Sequence, residues 1–210
     1  MSLLCRLPSC ITYLFPLVRF PQSSKLVLTP VIKKPNLCPR LFYNFRHITN
    51  VAFSSKCLEH LASFTLLHHI SSNNLFVPVQ SAYRANHSTE TVLLRVYNDL
   101  LLAFDAEDAA VLVLLDFSKA FDTIDHSILL RRLESTYGIR GLALEWMRSY
   151  ITGRHQEVLI DGFTSALVPL LFGVAQGSVL GPIVFILYTT PLYRLVRAFG
   201  VDCHFFSDDS

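Results

Sequence analysis

Carboxylates that close two stretches of this 210-residue chain are the side chains best placed to do chemistry. Asp116 directly follows five consecutive apolar residues, Val111 to Leu115, and Asp208 and Asp209 close the last stretch, VDCHFFSDDS. Adjacent carboxylates repel each other unless a cation or a shared proton offsets their charge. The sequence therefore predicts a metal site at these two places, with an N-cap or turn role as the alternative for Asp116.

Magnesium is the ion that such a site predicts, because it prefers oxygen ligands and keeps water or substrate phosphate in its coordination shell. Two such ions, about 4 Å apart, would stabilise both the attacking and the leaving oxygen of a phosphoryl transfer. Spacing alone also fits a metal-dependent phosphohydrolase that needs no template. The five cysteines are scattered without a short paired spacing, so they indicate neither a disulfide framework nor a zinc site.

The distribution of charge is suited to an enzyme that acts on a polyanion. Residues 1–58 contain eight lysines and arginines and no acid, whereas the rest of the chain contains ten basic and sixteen acidic residues. The basic part is suited to contact phosphates, and the acidic part is suited to hold metal ions. With 51% hydrophobic residues, the chain can also bury a substantial core.

The apolar spacing predicts the helices and strands that must position the acids. Val111 to Leu115 is predicted to form a strand covered on both faces and ending at Asp116. Residues 27–50, rich in proline and basic side chains, are predicted to be extended segments and loops. Helices are predicted over residues 54–69, 88–103, 126–133 and 141–151.

Turn signals complete this framework. Ser88 is a predicted N-cap, and Asp161-Gly162 is the predicted turn of a hairpin within residues 155–172. A loop with three glycines, at 173, 177 and 181, leads into an apolar helix that is predicted to begin near Pro182. Glycines let a backbone approach a ligand closely, so this loop is a candidate nucleotide site, although its spacing does not match a Walker loop.

The first 26 residues are apolar, free of acids and interrupted by three prolines. Their longest uncharged apolar run, residues 7–18, is too short to span a bilayer, and we expect no membrane partner. A signal peptide, an organelle transit sequence and a non-native leader all remain open for this segment. We assign it no function.

Several motifs, in order along the chain, resemble the reverse transcriptase domain of a non-LTR retrotransposon of the long-interspersed-element (LINE) type. LLDFSKAFDTIDH resembles the first palm motif of that family, GVAQGSVLGP the second, and FFSDD the catalytic pair usually written Tyr-Ala-Asp-Asp. Upstream, VIKKPNLCP, NFRHITN, SKCLEH and NNLFVPVQSAYRANHSTET resemble the finger and linking segments. The resemblance covers roughly residues 27–210.

This resemblance implies an α+β fold with the right-hand architecture of polymerases. Residues 27–109 would form a fingers-like part and residues 110–210 a partial palm, after a leader at 1–26, while the thumb and any endonuclease are absent. The chain stops one residue after Asp209. We therefore expect this truncated chain to be inactive alone, and the missing parts to come from elsewhere.

The implied function is that of an RNA-directed DNA polymerase, a nucleotidyltransferase. It would add deoxynucleoside triphosphates to the 3′-hydroxyl of a DNA primer on an RNA template by the two-metal mechanism. The implied location is the nucleus or the cytoplasm, and the acid-free N-terminus leaves an organelle open.

Carried over residue by residue, Asp116, Asp208 and Asp209 become the catalytic and metal-binding carboxylates. By resemblance they would hold two Mg²⁺ ions, with Mn²⁺ as an alternative. Two further acids of the first motif, Asp122 and Asp125, are not carried over as ligands. We interpret them as capping or structural acids before the helix that begins at His126.

Five further positions match nucleotide-binding or template-binding residues of the family. Phe121 matches the aromatic steric gate beneath the incoming sugar, and Gln176 and Gly177 match the loop that contacts template and nucleotide. Arg46 and Arg84 match finger arginines near the triphosphate and the template.

The chain also departs from the family pattern at several positions. His47 and Ala175 stand where proline is usual, Cys38 stands where an acid is usual, and Phe206-Ser207 replaces Tyr-Ala. Together these changes resemble drift in an element copy that is no longer under selection. A catalytically inactive, nucleic-acid-binding remnant of a retroelement is therefore the alternative function, with salt-dependent RNA binding but no nucleotide incorporation.

Overall fold

The structure is a computed structural model that describes residues 19–22, 25–33, 45–47, 50–117, 120–160, 162–175 and 177–207. For residues 27–33 and 45–47 it describes the backbone alone. The helices in this part of the chain are α1 (Phe53–Ser72), α2 (Thr89–Asp105), α3 (His126–Ser135), α4 (Gly141–Ile151) and α5 (Leu180–Ala198). The strands are β1 (Leu26–Lys33), β2 (Phe45–His47), β3 (Arg154–Ile160), β4 (Phe163–Thr164) and β5 (Val168–Leu170).

The strands form one mixed sheet within the described residues, in the order β2-β1-β3-β4, with β5 also paired to β3. β1 runs parallel to β3, with Leu26 opposite His155, whereas the other pairs are antiparallel. Ile160 lies opposite Phe163 across the predicted hairpin turn, where Gly162 has a φ of +85°. The hairpin and the extended β1 and β2 segments confirm the sequence-based predictions.

The core lies among helices α1, α3, α4 and α5, beside the sheet. The first half of α5, from Leu180 to Leu187, is almost entirely buried, and the helix contacts α1 and α3. Trp146 and Tyr150 of α4 stack with ring centroids 5.6 Å apart. Phe20 packs its ring edge against both of them, so part of the predicted leader belongs to the core.

The predicted helices are confirmed, and local caps explain where two of them begin. Ser88 caps α2 by accepting a hydrogen bond from the Thr91 amide at 3.3 Å, while the Thr91 hydroxyl accepts one from the Ser88 amide. Asp125 caps α3, accepting from the Ser127 and Ile128 amides at 2.8 and 2.9 Å. Its interpretation as a capping acid is therefore confirmed.

The predicted buried strand over Val111 to Leu115 is wrong in this structure. The segment is irregular, and each of its five side chains is more than half exposed. α2, which precedes it, likewise buries none of its residues. An apolar run becomes a strand only where another backbone can take up its N–H and C=O groups, and residues 111–115 have no strand partner among the described residues.

No helix of the described residues combines the length and the apolar composition that crossing a bilayer would require.

Candidate active site and the segments that support it

Asp116 lies where the chain changes from exposed and irregular to packed. Its side chain is exposed, whereas the next residue, Phe117, packs against Phe185 of α5 with ring centroids 5.8 Å apart and a nearly perpendicular geometry. Phe117 therefore fixes the backbone next to Asp116 and leaves the carboxylate accessible. Such a carboxylate is suited to bind a hard cation through its oxygens.

The Phe121 segment and the glycine loop are joined backbone to backbone. The Val174 amide donates to the Phe121 carbonyl, and the Gly173 amide donates to the Ile124 carbonyl, each at 2.8 Å. Gly173 has a φ of +80°, and a Cβ there would lie 2.7 Å from the Phe121 carbonyl oxygen. Only glycine allows this conformation and this approach. The structure thus places Phe121 beside the loop that leads to Gly177.

The Phe121 ring is only partly buried. It lies tilted against Phe185, with centroids 5.6 Å apart, and belongs to the rim of the core. This position fits a side chain that is fixed on one side by packing and presents its other side to a ligand.

The residues before Asp208 are held by the loop between α1 and α2. The Phe205 amide donates to the Val79 carbonyl and the Ser81 amide donates to the Phe205 carbonyl, both at 3.0 Å. The buried amide side chain of Gln80 accepts from the Ser207 amide at 3.3 Å. Ser207 has a φ of +60°, which is uncommon for a residue with a side chain. The backbone that enters the predicted catalytic pair is thus paired with a segment more than 120 positions upstream.

The N-terminus of α5 is held by a buried carboxylate that the sequence analysis did not identify. Glu59 is fully buried, and its Oε2 accepts from the amides of Val179 and Leu180 at 2.7 and 3.2 Å. The Tyr150 hydroxyl donates to the same oxygen at 3.3 Å, and the Ser55 hydroxyl donates to Oε1 at 2.9 Å. Four donors and the positive end of a helix explain how the carboxylate is tolerated in the core.

The sequence does contain a signal for this role. Glu59 precedes Ala62 and Leu66 by three and seven positions, so it lies on the apolar face of α1. Burial, together with the charge of Glu59, raises the pKa of the neighbouring Tyr150 hydroxyl. Tyr150 therefore stays protonated and available as a donor.

The guanidinium of Arg84 makes its hydrogen bonds within its own loop. Its Nη1 donates to the carbonyls of Val77, Pro78 and Gln80 at 3.3, 3.4 and 3.1 Å, and its guanidinium lies 5.1 Å from the centre of the Phe76 ring. Burial and the charge of nearby Arg95 lower the pKa of this guanidinium. Arg84 also lines a groove of about 760 Å³ beside the C-terminal end of α1. A template contact by Arg84 stays a prediction.

A protein-family model described as reverse transcriptase (RNA-dependent DNA polymerase) matches residues 32–210, which is most of the chain. The chain belongs to the reverse transcriptase family. Members of this family generally use divalent metals.

Two relatives of this reverse transcriptase domain come from Drosophila melanogaster. The chain is 30% identical over 170 residues to the probable RNA-directed DNA polymerase from transposon X-element, covering 81% of the chain and 18% of the relative. It is 28% identical over 173 residues to the RNA-directed DNA polymerase from mobile element jockey, covering 82% and 19%. The chain thus spans less than a fifth of the length of these relatives. Both names confirm the resemblance to non-LTR retrotransposon polymerases.

The fold is shared with a solved structure of apo telomerase from Candida tropicalis, truncated from its C-terminal domain. The TM-score is 0.60 at 14% sequence identity, over 90% of this chain and 43% of that one. The mixed helix and strand content of the domain agrees with this polymerase fold, as the sequence predicts. The boundaries between fingers and palm stay predictions.

Some of the predicted site residues of this reverse transcriptase domain lie in the described part of the chain, and others lie outside it. Phe121 lies on a segment joined to the loop that leads to Gly177. Phe117, next to Asp116, packs against Phe185 of α5, and Phe205, three residues before Asp208, lines a small cavity together with Leu187 of α5. The predicted residues that lie outside the described part are Gln176, Asp208, Asp209 and the side chain of Arg46. Within the described part, no three histidine, cysteine or acidic side chains form a metal-binding group.

Proposed function

We propose that this chain carries the catalytic carboxylates of an RNA-directed DNA polymerase that extends a DNA primer on an RNA template with deoxynucleoside triphosphates. The observation that carries the proposal is the family match over residues 32–210, which contains all three predicted acids. The packing supports it, because Phe117, next to Asp116, lies against Phe185 of α5, and Phe205, three residues before Asp208, lines a cavity with Leu187 of the same helix.

Asp116, Asp208 and Asp209 are the proposed ligands of two Mg²⁺ ions, with Mn²⁺ as an alternative. The donor set fits these ions, because all ligands are carboxylate oxygens and the one described ligand, Asp116, is exposed. When bound, the ions would stabilise the attacking and leaving oxygens of the transfer. The protein contributes by fixing the backbone beside each acid, through Phe117 on one segment and through Gln80 on the other.

Residues 27–109 are the proposed fingers-like part and residues 110–210 the proposed partial palm. Gly177, which has a φ of +92°, and Gln176 would face template and nucleotide from the loop that Gly173 ties to Phe121. Arg46 would approach the triphosphate from β2. The acid-free basic segment of residues 1–58 supports contact with nucleic acid.

Primer extension tests this function most directly. The assay uses a chimaera in which the chain is continued by the segment that follows the matched region in the jockey polymerase. We expect Asp116→Asn to lower magnesium-dependent incorporation by about 10³-fold, because several kcal/mol of transition-state stabilisation are lost. Asp108→Asn, which alters an exposed acid eight positions earlier, is the matched control and should extend primers normally.

The same assay separates the other functions. A remnant that only binds RNA would bind the template in a salt-dependent manner with no incorporation by the unaltered chimaera. A phosphohydrolase would release phosphate without a template. Equal incorporation by the unaltered chimaera and Asp116→Asn would contradict the metal assignment.

Phe121 is proposed to select the sugar of the incoming nucleotide, because a large ring beneath the sugar would crowd a ribose 2′-hydroxyl. We expect Phe121→Ala in the same chimaera to raise ribonucleotide use relative to deoxyribonucleotide use by about tenfold, the scale of a modest change in pocket shape. Phe117→Ala, which removes the other ring that contacts Phe185, is the comparison: it should lower total incorporation, because Phe117 supports Asp116, but leave this ratio unchanged. An unchanged ratio in Phe121→Ala would leave Phe121 as a core aromatic only.

A further inference from the structure

We propose that Gln80 is a positioning residue for the Asp208–Asp209 pair, acting through the backbone of Ser207. This proposal rests on the proposed function, because it assumes that Asp208 and Asp209, which directly follow Ser207 in sequence, bind metal ions. Gln80 lies in the loop between α1 and α2, far from Ser207 in sequence. It belongs to the motif NNLFVPVQSAYRANHSTET, in which the resemblance assigned a template or nucleotide contact only to Arg84.

The contact is made by a buried side chain. Gln80 is only 6% exposed, and its Oε1 accepts from two backbone amides, Ala82 at 3.0 Å and Ser207 at 3.3 Å. One oxygen therefore fixes the turn of its own loop and the backbone that leads into Asp208. A buried amide is retained in such a place only when its hydrogen bonds are satisfied.

The backbone near this contact forms a single parallel β-bridge between the loop and the 205–207 segment. Gln80 and Phe205 form a parallel bridge, through hydrogen bonds from the Phe205 amide to Val79 and from the Ser81 amide to Phe205. The Phe205 side chain is buried and lies with Gln80 beside Leu187 of α5, around a small cavity of about 20 Å³. Three hydrogen bonds between the loop and the 205–207 segment thus fix the backbone of residues 205–207.

Ser207 needs such a partner more than an ordinary residue does. Its φ of +60° places it in the left-handed region, which residues with a side chain rarely occupy. A backbone in a sparsely populated conformation persists only where the surrounding structure holds it. The hydrogen bond from its amide to Gln80 holds Ser207 in this conformation, directly before the acids.

Arg84 stabilises the same loop through its guanidinium. Its Nη1 donates to the carbonyls of Val77, Pro78 and Gln80, so the guanidinium holds the loop from which Gln80 reaches Ser207. The loop belongs to the proposed fingers-like part, and the acids belong to the proposed palm. The position of Ser207, directly before the acids in sequence, therefore depends on a loop from the other proposed part.

The first measurement is hydrogen exchange of the Ser207 amide in the 210-residue protein. Gln80→Leu keeps a side chain of similar volume but removes the acceptor, so we expect Ser207 to exchange faster by about tenfold, as a lost local hydrogen bond allows. Gln80→Asn, which keeps the amide but is one methylene shorter, should give the same result and serves if Gln80→Leu fails to fold. Gln80→Glu keeps an acceptor oxygen at the same reach and should retain the protection.

The second measurement is Mn²⁺ affinity, followed by electron paramagnetic resonance on the same proteins. We expect Gln80→Leu and Gln80→Asn to weaken binding by about tenfold, the lower end of the effect of losing a residue that supports metal ligands. Gln80→Glu should not weaken binding, because it keeps the acceptor oxygen and its added negative charge favours a cation. Thr65→Val is the matched control, because it removes another buried side-chain hydrogen bond, from the Thr65 hydroxyl to the Leu61 carbonyl within α1.

Faster exchange together with weaker Mn²⁺ binding in Gln80→Leu or Gln80→Asn, and in neither Gln80→Glu nor Thr65→Val, supports the proposal. Unchanged exchange at Ser207, or faster exchange with unchanged Mn²⁺ affinity, overturns it. If Asp116→Asn binds Mn²⁺ as the unaltered protein does, the proposed metal site fails and the positioning role fails with it. The Asp116→Asn control thereby distinguishes the two failures.

Discussion

Two apolar segments lead to the predicted catalytic acids, and they differ in burial and in backbone hydrogen bonding. The side chains of residues 111–115, before Asp116, are exposed and form no strand, whereas Phe205, three residues before Asp208, is buried and hydrogen-bonded on both sides. The more apolar of the two segments is the less buried one. Within the described part of the chain, the difference is a backbone partner, because the loop at Val79 to Ser81 supplies donors and acceptors to the second segment and not to the first.

The comparison predicts opposite responses to truncation of a large apolar side chain. Phe205→Ala should lower the free energy of unfolding by about 3 kcal/mol, the usual cost of emptying a buried aromatic position. Leu114→Ala should change it by less than about 0.5 kcal/mol, because Leu114 is 79% exposed. Urea unfolding of the two variants measures both values, and similar losses would contradict the distinction between the segments.

A second prediction concerns the support that both segments share, the buried first half of α5. Glu59→Leu leaves the amides of Val179 and Leu180 without their acceptor, so we expect a loss of about 2 kcal/mol in the free energy of unfolding. Glu59→Gln keeps one acceptor oxygen and should cost less. Glu134→Gln, at an exposed position of α3, is the control, and an equal effect of Glu134→Gln and Glu59→Leu would refute the assignment.

The smallest effect is expected at Asp125, an acid that is fixed by its own neighbours rather than by a distant loop. Hydrogen bonds from the Ser127 hydroxyl and the Ile128 and Ser127 amides lower the pKa of this carboxyl in the folded protein. Its contribution to stability is therefore fully present above its unfolded pKa, about 4, and is lost as the pH falls through the lower folded value.

Asp125→Ala should accordingly cause a small decrease in melting temperature at neutral pH, and this decrease should shrink as the pH falls below about 4. Thermal unfolding across this pH range measures it, with Asp108→Ala as the exposed-acid control. A difference that grows in acid would contradict the sign of the shift.

Local features of the chain were predictable from the sequence because they depend on near neighbours. Ser88 and Asp125 begin helices through hydrogen bonds to residues two or three positions away. Gly162 marks a hairpin turn for a similarly local reason, since its positive φ suits the turn. The ordered motifs also sufficed to identify the family, which the match over residues 32–210 confirms.

The candidate site was predictable as a set of residue types but not as a set of contacts. The sequence by itself determined the acids, the aromatic at Phe121 and the glycines of the nucleotide loop. Only the tertiary structure decided that Gln80 binds Ser207 and that Glu59 holds the start of α5. It also decided that residues 111–115 stay exposed. The two hydrogen bonds join residues 127 and 120 positions apart. The free energy of a hydrogen bond or of burial exists only once the chain has brought the two partners together, so the sequence pattern alone does not specify it.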